Sequence, residues 1–134
     1  MRRVKLIAKN IKWIMLVSGV LTSTLLLAAI APDSALRMIF GETLEGPLSD
    51  IIVRNWGVLV GLVGMLLIYG AFNEHVRKLV LVLATTSKVA FVGLILAFGS
   101  NYLSKVGASI AIDTLFIVLF VVYLLGEMKT QDAA

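Results

Sequence analysis

The chain has 134 residues, of which 60% are hydrophobic and only 15% charged, and its mean hydropathy is +1.01. A water-soluble domain carries about 45–50% apolar residues, so this composition excludes a fold built for an aqueous surround. The net charge of +4 is no nucleic-acid footprint, because the basic residues sit at the edges of long apolar runs, where they set membrane orientation. The absence of cysteine removes disulfides, thiolate nucleophiles, iron–sulfur clusters and cysteine–zinc sites.

Four runs, 13–31, 51–72, 79–99 and 106–126, reach the roughly 20 apolar residues that a helix needs to cross a ~30 Å hydrocarbon layer. Runs this long and without alternation fit only helices in lipid. The pattern predicts one all-α integral membrane domain over 1–134, an antiparallel bundle of four transmembrane helices with a short interfacial helix in the first outer loop. The first run follows Arg2, Arg3, Lys5, Lys9 and Lys12 and ends in Ala29-Ile30-Ala31, which looks like a signal-peptide cleavage site. Its apolar stretch exceeds the usual 7–15 residues of such a peptide, and Pro32 is a poor residue behind a cut. It is expected to stay in place as a span.

The loop that follows holds the acids Asp33, Glu42, Glu45 and Asp50. Asp33 or Ser34 is placed to cap a short helix carrying Leu36, Met38, Ile39 and Phe40, ended by Gly41. That helix reads either as a lid on the membrane surface or, more plainly, as an ordered connector. The second span opens with Arg54 and Asn55, then carries Gly57, Gly61 and Gly64 at spacings of four and three, which put them on one face. Close helix contact in lipid depends on small residues; packing within the chain and packing between subunits both fit this face. The connections at 73–78 and 100–105 are short enough to make hairpins. Trp13, Trp56, Tyr69, Tyr102 and Tyr123 lie mostly near span ends, where amphipathic rings anchor.

Lysine and arginine fix the orientation. With the N-terminus inside, Arg2, Arg3, Lys5, Lys9, Lys12, Arg77, Lys78 and Lys129 lie on the inner side, against Arg37 and Lys105 on the outer side and Arg54 just inside the second span. The expected location is the cell's inner (plasma) membrane, with both termini cytoplasmic.

Ionisable residues within a span are costly, by about 2.5–3.5 kcal/mol on insertion scales. Lys88 lies near the middle of the third span, after Thr85-Thr86-Ser87, and Asp113-Thr114 lies in the outer half of the fourth. Counted at 1.5 Å per residue from the outer surface, Arg54 lies at ~5 Å, Asp113 at ~10 Å, Lys88 at ~16 Å, and Thr22, Ser23 and Thr24 at ~10–14 Å. The expectation is a polar layer of Arg54, Asn55, Lys88, Asp113, Thr114, Thr22, Ser23 and Thr24 in which Asp113 pairs with Lys88, Arg54 or both. Such a layer is either glue between helices or an outward-opening pocket, and four thin helices leave little room for the second.

No Ser-His-Asp arrangement, phosphate-binding glycine loop or carboxylate cluster is present, and the single histidine, His75, cannot provide bis-histidine haem ligation alone. No metal or cofactor is expected. Lys88 beside Asp113 evokes a Schiff base with its counterion, but four spans can hardly enclose a chromophore.

A basic start runs into a span ending in Ala31-Pro32-Asp33, then Leu36-Arg37-Met38-Ile39-Phe40-Gly41, then a second span opening with Arg54-Asn55-Trp56-Gly57. A turn at Phe72-Asn73-Glu74 follows, with Arg77-Lys78 beyond. Together these resemble the DoxX-like small four-helix bacterial membrane proteins over most of the chain. The resemblance implies a bacterial four-helix bundle and lends no catalytic residue.

The expected role is that of a non-enzymatic inner-membrane protein, an accessory subunit or a small-ligand or lipid binder. Its partners would be the bilayer and further copies of itself or a larger membrane complex, with no nucleic acid. The alternatives are a small transporter or channel, favouring anions because of Arg54 and Lys88, and a membrane enzyme acting on a lipid or quinone with Asp113 as acid/base. A single carboxylate without a second catalytic group argues against the enzyme.

Overall fold

The computed structural model describes all residues from Met1 to Ala134, and the chain is helical throughout, with no strand. Helix α1 (Arg2–Ser23) continues through a 3-10 turn (Thr24–Leu26) into the single turn α2 (Leu27–Ile30). Then come α3 (Pro32–Phe40), α4 (Pro47–Phe72), α5 (Glu74–Phe98), a second 3-10 turn (Ser100–Tyr102) and α6 (Leu103–Asp132). Four of these units, α1 with α2, α4, α5, and α6 with its leading turn, are long and apolar enough to cross a membrane.

The helices overrun the apolar runs. α1 starts at Arg2, not near residue 13, because Arg, Lys and Leu are good helix formers and nothing before Gly19 interrupts them. Its basic residues Arg2, Arg3, Lys5, Lys9 and Lys12 are all exposed.

Helix starts in the first loop differ from expectation. Neither Asp33 nor Ser34 caps α3: Ala31 occupies the capping position, without a side-chain bond, and Pro32 is the first helical residue. Proline brings a preset φ and lacks the N–H that a first turn leaves orphaned, so it begins the helix one residue earlier. Asp33 falls in the first turn, where its charge faces the positive end of the helix dipole. Gly41 ends the helix at φ +81°, and Gly46, at φ +98°, precedes Pro47 at the start of α4.

The predicted 73–78 loop shrinks to one residue. Asn73 alone is non-helical; its side-chain oxygen accepts from the His75 N–H at 3.1 Å and caps α5, while its Nδ2 donates to Tyr69 Oη at 2.9 Å. Glu74 through Lys78 are helical. The 100–105 connection likewise contracts to Gly99 and a 3-10 turn.

The glycine face of α4 is filled by this chain's own first helix. A side chain on Gly57 would strike Ala28 and Leu25, one on Gly61 would strike Leu26, and one on Gly64 would strike Ser23 and Gly19. No room remains there for another subunit. Ascending numbers on α4 thus meet descending numbers on α1 and α2. α4 also packs on α5, α5 on α6, and α6 back on α1. One core (Ile11, Met15, Leu67, Leu81, Phe120 and neighbours) fills the end of the molecule near the two termini, and a smaller one (Ala28, Ala35, Leu36, Val53) joins α2, α3 and α4 at the other end.

Candidate functional site

Lys88 is aimed inward by helical register, since it continues the buried stripe Leu81, Ala84 and Ile95 of α5. On α6, Asp113 falls between Val106 and Phe116 on the stripe that leads to Phe120. The two side chains meet: Lys88 Nζ donates to Asp113 Oδ1 at 2.5 Å, with side-chain exposures of 8% and 21%. Lys88 also donates to Thr22 Oγ1 at 3.3 Å, and its Nζ lies 5.8 Å from the centre of the Phe116 ring. Three helices, α1, α5 and α6, are therefore tied at one point. Burying either charge alone is costly; the pairing and the extra hydrogen bond offset that desolvation.

Arg54 does not join this group. Its guanidinium donates to the carbonyl oxygens of Ala29 at 2.5 Å and Ile30 at 3.3 Å, and to Asp50 Oδ2 at 2.9 Å. The end of α2 leaves carbonyls without helical partners, and Arg54 supplies donors for two of them. Arg77 does the same at the other end, donating to Gly70 O at 3.1 Å and Ala71 O at 2.9 Å. Each arginine thus sits in one membrane-length helix and closes the C-terminus of the preceding membrane-length unit, Arg54 across the intervening α3 and Arg77 across Asn73 alone, a role that the sequence reading missed. For Arg77, an arginine one turn after a tight helical hairpin is the signal that would have found it; for Arg54, with α3 between it and its carbonyls, no local signal exists. Arg54→Gln is expected to lower stability in detergent by about 1–2 kcal/mol, since hydrogen bonds from a charged donor are lost. Asp50→Asn should change it by less than about 0.5 kcal/mol because that pair is half exposed. Thermal unfolding of both variants checks the contrast.

The rest of the expected layer divides. Asn55 and Thr114 are exposed, and Thr114 bonds back to Ile110 O at 2.7 Å. Ser23 packs against Gly64. Thr24 donates to Leu21 O at 2.6 Å but still lines the space above the ion pair. α4 brings no polar group to the layer.

That space is a cavity of about 810 Å³, lined by 24 residues of which 15 are hydrophobic. Four helices thus leave more room than the little that their thinness suggests. Lys88, Asp113, Thr22 and Ser18 are at its polar end, α4 forms a wall through Trp56, Val60 and Val63, and α3 reaches across through Ser34, Ala35, Met38 and Ile39. The physical reason is that the glycines of α4 draw α1 and α2 toward α4 and away from α6. At the terminal end α1 and α6 touch, with Val4 against Gly126. Nearer α3, the lining residues Leu21 and Leu27 of the first helix and Ile112 of α6 are exposed, so the cavity opens along the seam between them.

Ser18 is fully buried beside this cavity, and its Oγ has no hydrogen-bond partner. Neither it nor Ser109, both lining residues, was singled out from the sequence, and Lys105, a third, figured there only as an outer basic residue. His75 is exposed in the first turn of α5, and no group of His, Asp and Glu is arranged to hold a metal ion. The arrangement can bind: it offers an apolar wall with hydrogen-bond donors and an acceptor at one end. No protein-family model matches the chain, and neither do any curated protein or solved structure.

Proposed function

We propose that this chain is a multi-pass protein of a bacterial inner membrane that binds a small amphipathic molecule in the cavity above Lys88 and Asp113. The observation that carries this reading is the cavity itself, about 810 Å³ with a predominantly hydrophobic lining and a buried ion pair at one end. Ligand sites are typically of ~300–1,000 Å³, apolar, with a few convergent polar groups.

Insertion is supported by the surface. In the four apolar windows no more than 28% of residues are buried, and Leu, Ile and Val side chains project outward all round. The inverse numbering of the α1–α4 contacts and the short hairpins support an antiparallel bundle. The excess of lysine and arginine at the end carrying the termini supports cytoplasmic termini. The DoxX-like resemblance accords with such a bundle. The role is non-enzymatic, with the protein acting as a homo-oligomer or as an accessory subunit of a membrane complex. With Arg54 turned to backbone carbonyls, a continuous basic path for anions loses one of its two expected charges, and binding is favoured over conduction.

Native mass spectrometry of the protein released from membranes tests this and counts the copies. The expected spectrum carries one small amphiphile per chain, absent from Val60→Trp, whose indole fills the cavity from the α4 wall. An adduct that persists in the filled variant, or no adduct at all, would overturn the reading.

A further inference from the structure

The polar end of the cavity carries no net charge. Lys88 and Asp113 compensate each other, Arg54 is committed to Ala29, Ile30 and Asp50, and the remaining groups are hydroxyls. A further ion placed there would be buried without a counter-charge, which is heavily unfavourable in an apolar surround. Uncharged hydrogen-bonding capacity is nevertheless left over. An ammonium has three donors, and Lys88 uses two, to Asp113 and Thr22. Only Oδ1 of Asp113 is engaged, and the buried Ser18 hydroxyl has no partner.

The mouth differs. Lys105 lines the cavity near α3, is exposed, forms no ion pair, and lays its aliphatic stem over Gly41. It lies a little over two turns of α6 before Asp113, a separation of ~12 Å by helical rise. Ser109, one turn of α6 from each, is the polar lining residue between them on that helix, and the facing wall is mostly apolar, through Ile39, Trp56, Val60 and Phe91.

Resting on the reading of this cavity as a ligand site, we infer that it selects an acyl chain with an anionic head at Lys105 and an uncharged oxygen group, such as a hydroxyl, part-way along the chain at Lys88, Asp113 and Ser18. The head stays at the membrane surface, where a lipid of the outer leaflet already has it. The mid-chain hydroxyl, which plain hydrocarbon penalises, gains a donor and an acceptor in the cavity.

Trp56 lines the cavity, and Trp13 is the only other tryptophan, so Trp13→Phe leaves a single reporter. In nanodiscs at alkaline pH, where carboxylates are ionised, a chain-brominated octadecanoate should quench Trp56 saturably. Octadecanoate and its hydroxylated derivatives are then used as competitors. The mid-chain hydroxy acid is expected to displace the quencher at about three- to ten-fold lower concentration than octadecanoate, the net gain typical of one hydrogen bond. A hydroxyl next to the carboxylate should give no such gain. Ser18→Ala should narrow the gap, while Lys105→Gln should weaken both competitors alike, by about five-fold. Equal displacement by hydroxylated and plain chains would overturn the inference and leave the ligand reading standing. Absence of saturable quenching by any chain would overturn that reading as well.

Discussion

Asp113→Leu is expected to destabilise the protein by about 3–5 kcal/mol, because it leaves Lys88 buried, charged and without its partner. The reach of Lys88 is already taken up: its ammonium lies between Asp113 and Thr22 with the Phe116 ring beside it, and a hydroxyl cannot replace a carboxylate. The double variant Lys88→Met/Asp113→Leu should recover most of the loss, since replacing a whole buried pair by apolar groups of similar volume is often neutral or stabilising. Unfolding of the wild type, both single variants and the double variant in one detergent gives the coupling energy directly. Glue and pocket, which the sequence leaves as equal readings, separate at this point. A double variant that is stable yet no longer retains an amphiphile assigns the pair to binding. One as unstable as Asp113→Leu alone assigns it to holding α5 and α6 together.

The parts of this site that are legible in the sequence are those set by one helix at a time. Lys88 and Asp113 are visible because an ionised side chain in an apolar run must find a partner, and both lie on stripes that helical periodicity marks as inward. Arg54 shows where such reading stops. Counting residues gives depth but not direction around the helix axis, and Arg54, although at a suitable depth, turns to the carbonyls of Ala29 and Ile30. Those carbonyls are free only because the first helix ends at Ile30 and the chain reverses at Ala31, a tertiary circumstance. The cavity was hidden for a related reason. It is the space left where α1 follows α4 instead of α6, and no single segment encodes a gap between two others. Ser18, one turn before Thr22 on α1, reads as a small packing residue until that gap is known. The four long helices were legible from composition alone, and their ends were not: polar residues such as Glu74 to Lys78 extend a helix as readily as they leave it.

Gly64→Leu is expected to lower stability by about 3 kcal/mol or more, at the upper end of what overpacking a filled interior costs. A Cβ there would meet backbone atoms, the Ser23 nitrogen and, at 2.8 Å, the Gly19 carbonyl oxygen, and backbone cannot rotate out of the way as a side chain can. The matching substitution Gly93→Leu on α5 should change stability by less than about 1 kcal/mol. A Cβ at Gly93 meets nothing within 4 Å, and glycine within a helix already carries a penalty of roughly 0.5–1 kcal/mol relative to alanine. Thermal unfolding of the two variants in the same detergent makes the comparison. Gly64→Leu has a second expected consequence, because the α4 groove also determines where α1 runs. Forcing α1 off α4 moves it toward α6 and narrows the seam bounded by Leu21, Leu27 and Ile112. Any of the variant that stays folded should therefore bind amphiphile more weakly, although Gly64 touches none of the cavity. Unchanged binding in that folded fraction would mean that the cavity does not depend on how closely α1 and α4 pack.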